Sequence, residues 1–116
     1  MNELELITAI DLGLAKILVL ANIINRKTDM CCIVHDSGHC DLLNIEVYQG
    51  RNEIRAQTPC KFELSYSNDR LEKDSKYRLE RIGHCIEFLE ATLKEKKVQF
   101  GMTENVKEWV TVGYEI

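Results

Sequence analysis

Residues 30–47 read MCCIVHDSGHCDLLNIEV, and the period of that stretch decides the fold. Met30, Cys32 and Val34 alternate with Cys31, Ile33 and His35. After Ser37-Gly38 the alternation resumes, with Leu43, Ile45 and Val47 on one face and Asn44, Glu46 and Tyr48 on the other. Successive side chains of a strand point to opposite sides, so a period of two marks a half-buried strand. A hairpin turning at Ser37-Gly38 sets Cys32 opposite Leu43 and Met30 opposite Ile45, which brings both apolar sets to one face. Downstream, Gly50 to Pro59 carries turn and breaker residues. Phe62, Leu64 and Tyr66 then alternate as a third strand, with Pro59 at or just before its start.

The flanks change period. From Asn2 to about Lys27, Leu4, Ile7, Asp11 or Leu14, Leu18, Ala21 and Ile24 recur at three- and four-residue steps. Asn2 and Glu5 form a capping pair at its start, and Arg26 and Lys27 suit a helix C-terminus. Its second half is apolar nearly all round, through Ile17, Leu18, Val19, Leu20, Ile23 and Ile24. A helix of that kind is covered on more than one side, by a sheet and a second helix or by a second copy of the chain.

A second, longer helix is predicted from Ser67 to about Lys97. Asp69 with Glu72 begins it, Asp69–Lys73, Glu72–Lys76, Asp74–Arg78 and Glu90–Lys94 place acid before base four residues on, and Gly101 suits its stop. Leu79, Ile82, Ile86, Leu89 and Leu93 form its apolar stripe, widened by Cys85 and Phe88. Gly83 in mid-helix costs ~1 kcal/mol relative to Ala, which implies the close approach of another backbone. In the tail, Val110, Val112 and Tyr114 alternate as a short final strand would, while Thr103 to Trp109 also fits a helical turn. The order helix, three strands, long helix gives one α+β domain over residues 1–116.

Composition narrows the function. The chain has 15 Lys+Arg against 19 Asp+Glu, a net charge of −4, where a general nucleic-acid binder shows a basic excess. The run Ile17–Ile24 is short against the ~20 apolar residues of a membrane span, and the start carries Glu3 and Glu5 rather than the basic opening of a signal peptide. A cytoplasmic location follows. Five Cys are an odd number, so a complete set of disulfides within one chain is excluded and free thiols are expected.

Candidate chemistry is thin. Cys31, Cys32, His35, Asp36, His39 and Cys40 are the densest ligand-type cluster. Alternation sends Cys32 to the core face and leaves Cys31, His35 and Cys40 together on the other, His35 and Cys40 as cross-strand neighbours. These three are the metal candidates, with His84 or Cys85 as a distant fourth, yet there is no CxxC and the bland reading is packing thiols. A Cys–His hydrolase lacks a third group to orient the base, because Asp36 points away from His35. No Gly-rich phosphate loop is present, and neither a cofactor nor an enzymatic activity is expected. Arg70, Lys73, Tyr77 and Arg81 lie along one helical stripe as a nucleic-acid candidate, diluted by Asp69, Glu72, Asp74 and Glu80.

Apolar surplus is the strongest signal. Two apolar helices and a small sheet offer more hydrophobic faces than a two-layer sandwich covers. Ile33, Leu42 and Tyr48 on the outer sheet face, with the stripe Leu79, Ile82, Ile86, Leu89 and Leu93, are the candidate interface, unless that stripe covers the sheet. A homodimer and a protein partner are expected, membrane contact is not, and nucleic acid is disfavoured.

The phrase SGHCDLLNIEVYQG at residues 37–50, set between an N-terminal helix and a long charged helix, resembles small uncharacterised phage and prophage accessory proteins of enteric bacteria. The resemblance covers about half the chain and assigns no catalytic residue. It implies an accessory protein that acts by binding, such as an inhibitor of a host defence or replication protein.

Overall fold

The computed structural model describes residues 2–38, 40–66 and 71–100, with Glu3 and residues 71–75 described as helical backbone only. Helix α1 spans Glu3–Lys27. Its N-cap is Asn2, whose side-chain oxygen accepts from the Glu5 N–H at 2.8 Å. Its C-terminus is closed by Thr28. The Thr28 N–H and hydroxyl both donate to the Ile24 carbonyl, and the hydroxyl accepts from the Met30 N–H at 3.0 Å. One threonine therefore ends the helix and aims the chain into the sheet.

Strands β1 (Cys31–Ser37), β2 (Leu42–Tyr48) and β3 (Cys60–Ser65) pair antiparallel in the order β1-β2-β3. The hairpin is real, but its register differs from the expected one. Cys32 lies opposite Val47 rather than Leu43, four residues further along β2, and Ile45 faces Val34 rather than Met30. The connection is the four residues between Ser37 and Leu42, closed by the Cys40 N–H to the Ser37 carbonyl at 3.0 Å. Asp41 takes the left-handed conformation there, with φ 52°. An even shift leaves every side chain on its own face. Cys32, Leu43, Ile45, Val47 and Leu64 are accordingly buried together, as the alternation predicted. Between β2 and β3 the Gln57 side chain holds the loop, donating to the Gly50 and Asn52 carbonyls and accepting from the Gly50 N–H.

Helix α2 runs Leu71–Glu95. It stops before Gly101, in a Schellman motif. The Val98 N–H bonds the Leu93 carbonyl at 2.9 Å, the Lys97 N–H bonds that of Lys94 at 3.0 Å, and Lys97 is left-handed at φ 59°. Val98 then packs back on the core. Of the predicted ion pairs on α2, Glu90 goes elsewhere, to Lys16 of α1 at 3.1 Å. Asp69, Arg70 and the tail with Val110, Val112 and Tyr114 lie outside the described residues.

Both helices cover the same face of the sheet. α1 packs along α2 and against β1, and α2 lies against β3. Ile17, Ile24, Ile45, Leu64, Leu89 and Leu93 are fully buried between them. Each such side chain contributes about 1.5–3 kcal/mol by leaving water. Phe62 and Phe88 meet at 5.5 Å between ring centroids. The close helix approach falls at Gly13, where an added Cβ would sit 2.6 Å from Ile82 Cγ2, and not at Gly83, where it would meet nothing within 4 Å.

Candidate interaction surface

The eight residues expected to form an interface divide sharply. Ile82, Leu89 and Leu93 are in the core, and Leu79 and Ile86 pack against it. The α2 stripe thus covers the sheet and α1. Tyr48 is buried on the outer side of the sheet, its hydroxyl donating to the Glu46 carboxylate, and Leu42 is half-buried. Ile33 is exposed.

Among the described residues, most of the large apolar side chains that the fold leaves exposed are on the other helix. Leu4 is 73 % exposed, Leu12 66 %, Leu18 46 % and Val19 43 %. With Thr8, Ala15 and Asn22, also exposed, they share one side of α1. The reason is geometric. Ile10, Ile17, Leu20, Ala21 and Ile24 already turn the opposite side of the helix toward the core, and a two-layer fold covers one side of each helix. Leu4 and Leu18 are among the residues whose helical steps predicted α1. On the side that packs, Gly13 lets α2 come close: a Cβ added there would lie 2.6 Å from Ile82 Cγ2. Segment Leu4–Lys27 is long and apolar enough to cross a membrane, a test that core helices also pass, and 28 % of its most apolar stretch is buried here.

The edge of β1 is protected by α1. Asn25 Oδ1 accepts from the Cys32 N–H and Asn25 Nδ2 donates to the Cys32 carbonyl, both at 2.7 Å. One carboxamide thereby stands in for a neighbouring strand.

The metal candidates are not brought together. His35 lies opposite Asn44 on the sheet, Cys31 opposite Tyr48, and Cys40 sits in the connection, so His35 and Cys40 are not cross-strand neighbours. The four-residue register shift separates them. Among the described residues no three His, Cys, Asp or Glu side chains are grouped for a metal ion, and His39 lies outside those residues. Burial pushes the thiols of Cys32 and Cys85 up to about 12, helped by Cys31 near the first and by Cys32 and Cys60 near the second. Such thiols stay protonated at neutral pH and serve as small apolar residues.

Half of the basic stripe can be placed. Tyr77 is exposed, whereas Arg81 is half-buried and turns toward a cleft of about 480 Å³ between β3 and α2. Arg78, buried, lines the same cleft with Leu42, Glu63, Leu64 and Ser65. Arg70 and the Lys73 side chain lie outside the described residues. Tyr77, Arg78 and Arg81 therefore flank a concavity of mixed charge rather than forming an outward row of cations. Tyr66 closes the turn end of the sheet: its hydroxyl donates to the Asp36 carboxylate, which, with burial, pushes its pKa up to about 12.

Comparison with known proteins adds no relative: no family model, no curated protein and no solved structure matches this chain.

Proposed function

We propose that this chain is a non-catalytic protein-binding module that acts through the exposed face of α1. The observation that carries the reading is the set Leu4, Leu12, Leu18 and Val19, four large apolar side chains left in water on one side of a single helix. A set of large apolar side chains exposed together on one side of a helix is the mark of a contact surface. The two buried thiols stay protonated, and His35 stands apart from Cys40. The resemblance at residues 37–50 sharpens the proposal to a host-directed inhibitor, which forms one stable complex and turns nothing over.

The test compares the full chain with a Leu12→Glu/Val19→Glu variant as bait in an enteric bacterial lysate, with Ile33→Glu as the control. Protein contacts made by the parent are expected to persist in the control and to vanish in the double variant, whose circular dichroism stays that of the parent. Equal capture by the parent and the double variant would remove α1 from the reading.

A further inference from the structure

We propose that the exposed face of α1 is covered by a second copy of this chain, the two α1 helices packing antiparallel about a two-fold axis near Ala15. This rests on the reading of that face as a protein contact and puts a second copy, in place of a host protein, on it. The stripe Leu4, Thr8, Leu12, Ala15 and Val19 recurs at three- and four-residue steps, with Asp11, Leu18 and Asn22 beside it. Its middle holds the small side chain of Ala15, so two backbones can come close where they cross.

Charge selects the orientation. The N-terminal half of α1 carries Glu5 and Asp11, and its last turn carries Arg26 and Lys27. Lys16, between them, is already held by Glu90 of α2. An antiparallel pair lays the acidic end of each helix beside the basic end of the other and opposes the two macrodipoles, while a parallel pair sets like against like. A two-fold presents the same patch from both sides, so this head-to-tail asymmetry makes the face complementary to itself.

Size and setting agree. A helix of 25 residues is about 37 Å long. A helix-wide strip of that length offers several hundred Å² per copy, of the order of the ~800 Å² that each partner of a standard interface contributes. A lipid surface fits less well, because helices that lie on membranes flank their apolar side with Lys and Arg, whereas here Asp11 lies within the face and Glu5 stands beside it along with Lys16 and Arg26.

The experiment measures the mass of the full chain by light scattering from micromolar to submillimolar concentration. A dimer is expected, reverting to monomer in Leu12→Glu and retained in Ile33→Glu, with unchanged circular dichroism in both. Orientation is read with a short bis-maleimide in a Cys31→Ser/Cys40→Ser/Cys60→Ser background, which leaves only the buried Cys32 and Cys85. Ala15→Cys is expected to link to its own copy. Leu4→Cys is expected to link to Arg26→Cys in a mixed sample and not to itself. Leu4→Cys linking to itself would overturn the antiparallel geometry. A monomer at every concentration would overturn the second copy, and Leu12→Cys then separates the remaining occupants. Fast maleimide labelling leaves the face open to a different protein, so the protein-binding reading survives. Slow labelling, which means the same chain covers the face, or co-sedimentation with phosphatidylglycerol vesicles, removes that reading too.

Discussion

Gly13 of α1 sits against Ile82 of α2 so closely that a methyl on the glycine would lie 2.6 Å from Ile82 Cγ2. Ile82 is 3 % exposed and β-branched, so its Cγ2 has no free rotamer into which to retreat. Gly13→Ala is expected to destabilise the fold, the ~1–3 kcal/mol of overpacking outweighing the ~1 kcal/mol that Ala gains in a helix. Ile82→Leu moves the branch away from Cβ, so the Gly13→Ala/Ile82→Leu pair should be less unstable than the two single changes added together. Urea denaturation of the four proteins reads the coupling.

Gly83 is the opposite case. Nothing stands within 4 Å of a Cβ added there, so Gly83→Ala is expected to stabilise α2 by about 1 kcal/mol. A rise in the denaturation midpoint without a change in slope would show it.

Lys97 holds φ 59° at the end of α2, a conformation that costs a side-chain-bearing residue about 1–2 kcal/mol. Lys97→Gly keeps the two Schellman hydrogen bonds and removes that strain. A gain of about 1 kcal/mol is expected in the same denaturation assay, and a loss would show that the lysine side chain itself stabilises the cap.

Asn25 replaces a strand at the free edge of β1 with two 2.7 Å bonds to Cys32. Asn25→Ala strands both main-chain groups in a part-buried position and is expected to cost roughly 1–3 kcal/mol. Hydrogen exchange should report it locally, with the Cys32 amide losing protection before those of β2.

Alkali should act through the two buried thiols. Cys32 and Cys85 titrate at about 12 in the fold against 9.0 as free groups, so the folded state holds their protons more tightly. The stability they contribute is complete below pH 9 and falls away as pH rises toward about 12. Denaturation midpoints are expected to decline over that window. At neutral pH, Cys40 and Cys60, both exposed, should react with a maleimide at once, and Cys32 and Cys85 only on unfolding.

The alternation in residues 30–47, the helical steps on either side and the turn residues between 50 and 59 determined the elements, their order and which strand face is buried. These are local properties, set by where successive side chains point, and they survived a hairpin register wrong by four residues because an even shift preserves faces. Only the tertiary structure decided what those faces meet. Periodicity marks the apolar side of a helix but not its neighbour, so the α2 stripe of Ile82, Leu89 and Leu93 fitted both an interface and a cover for the sheet, and the fold makes it the cover. The second half of α1 is apolar nearly all round, and only the fold shows which side is buried: Gly13 admits Ile82 on the packed side, and Leu4, Leu12, Leu18 and Val19 are exposed on the other.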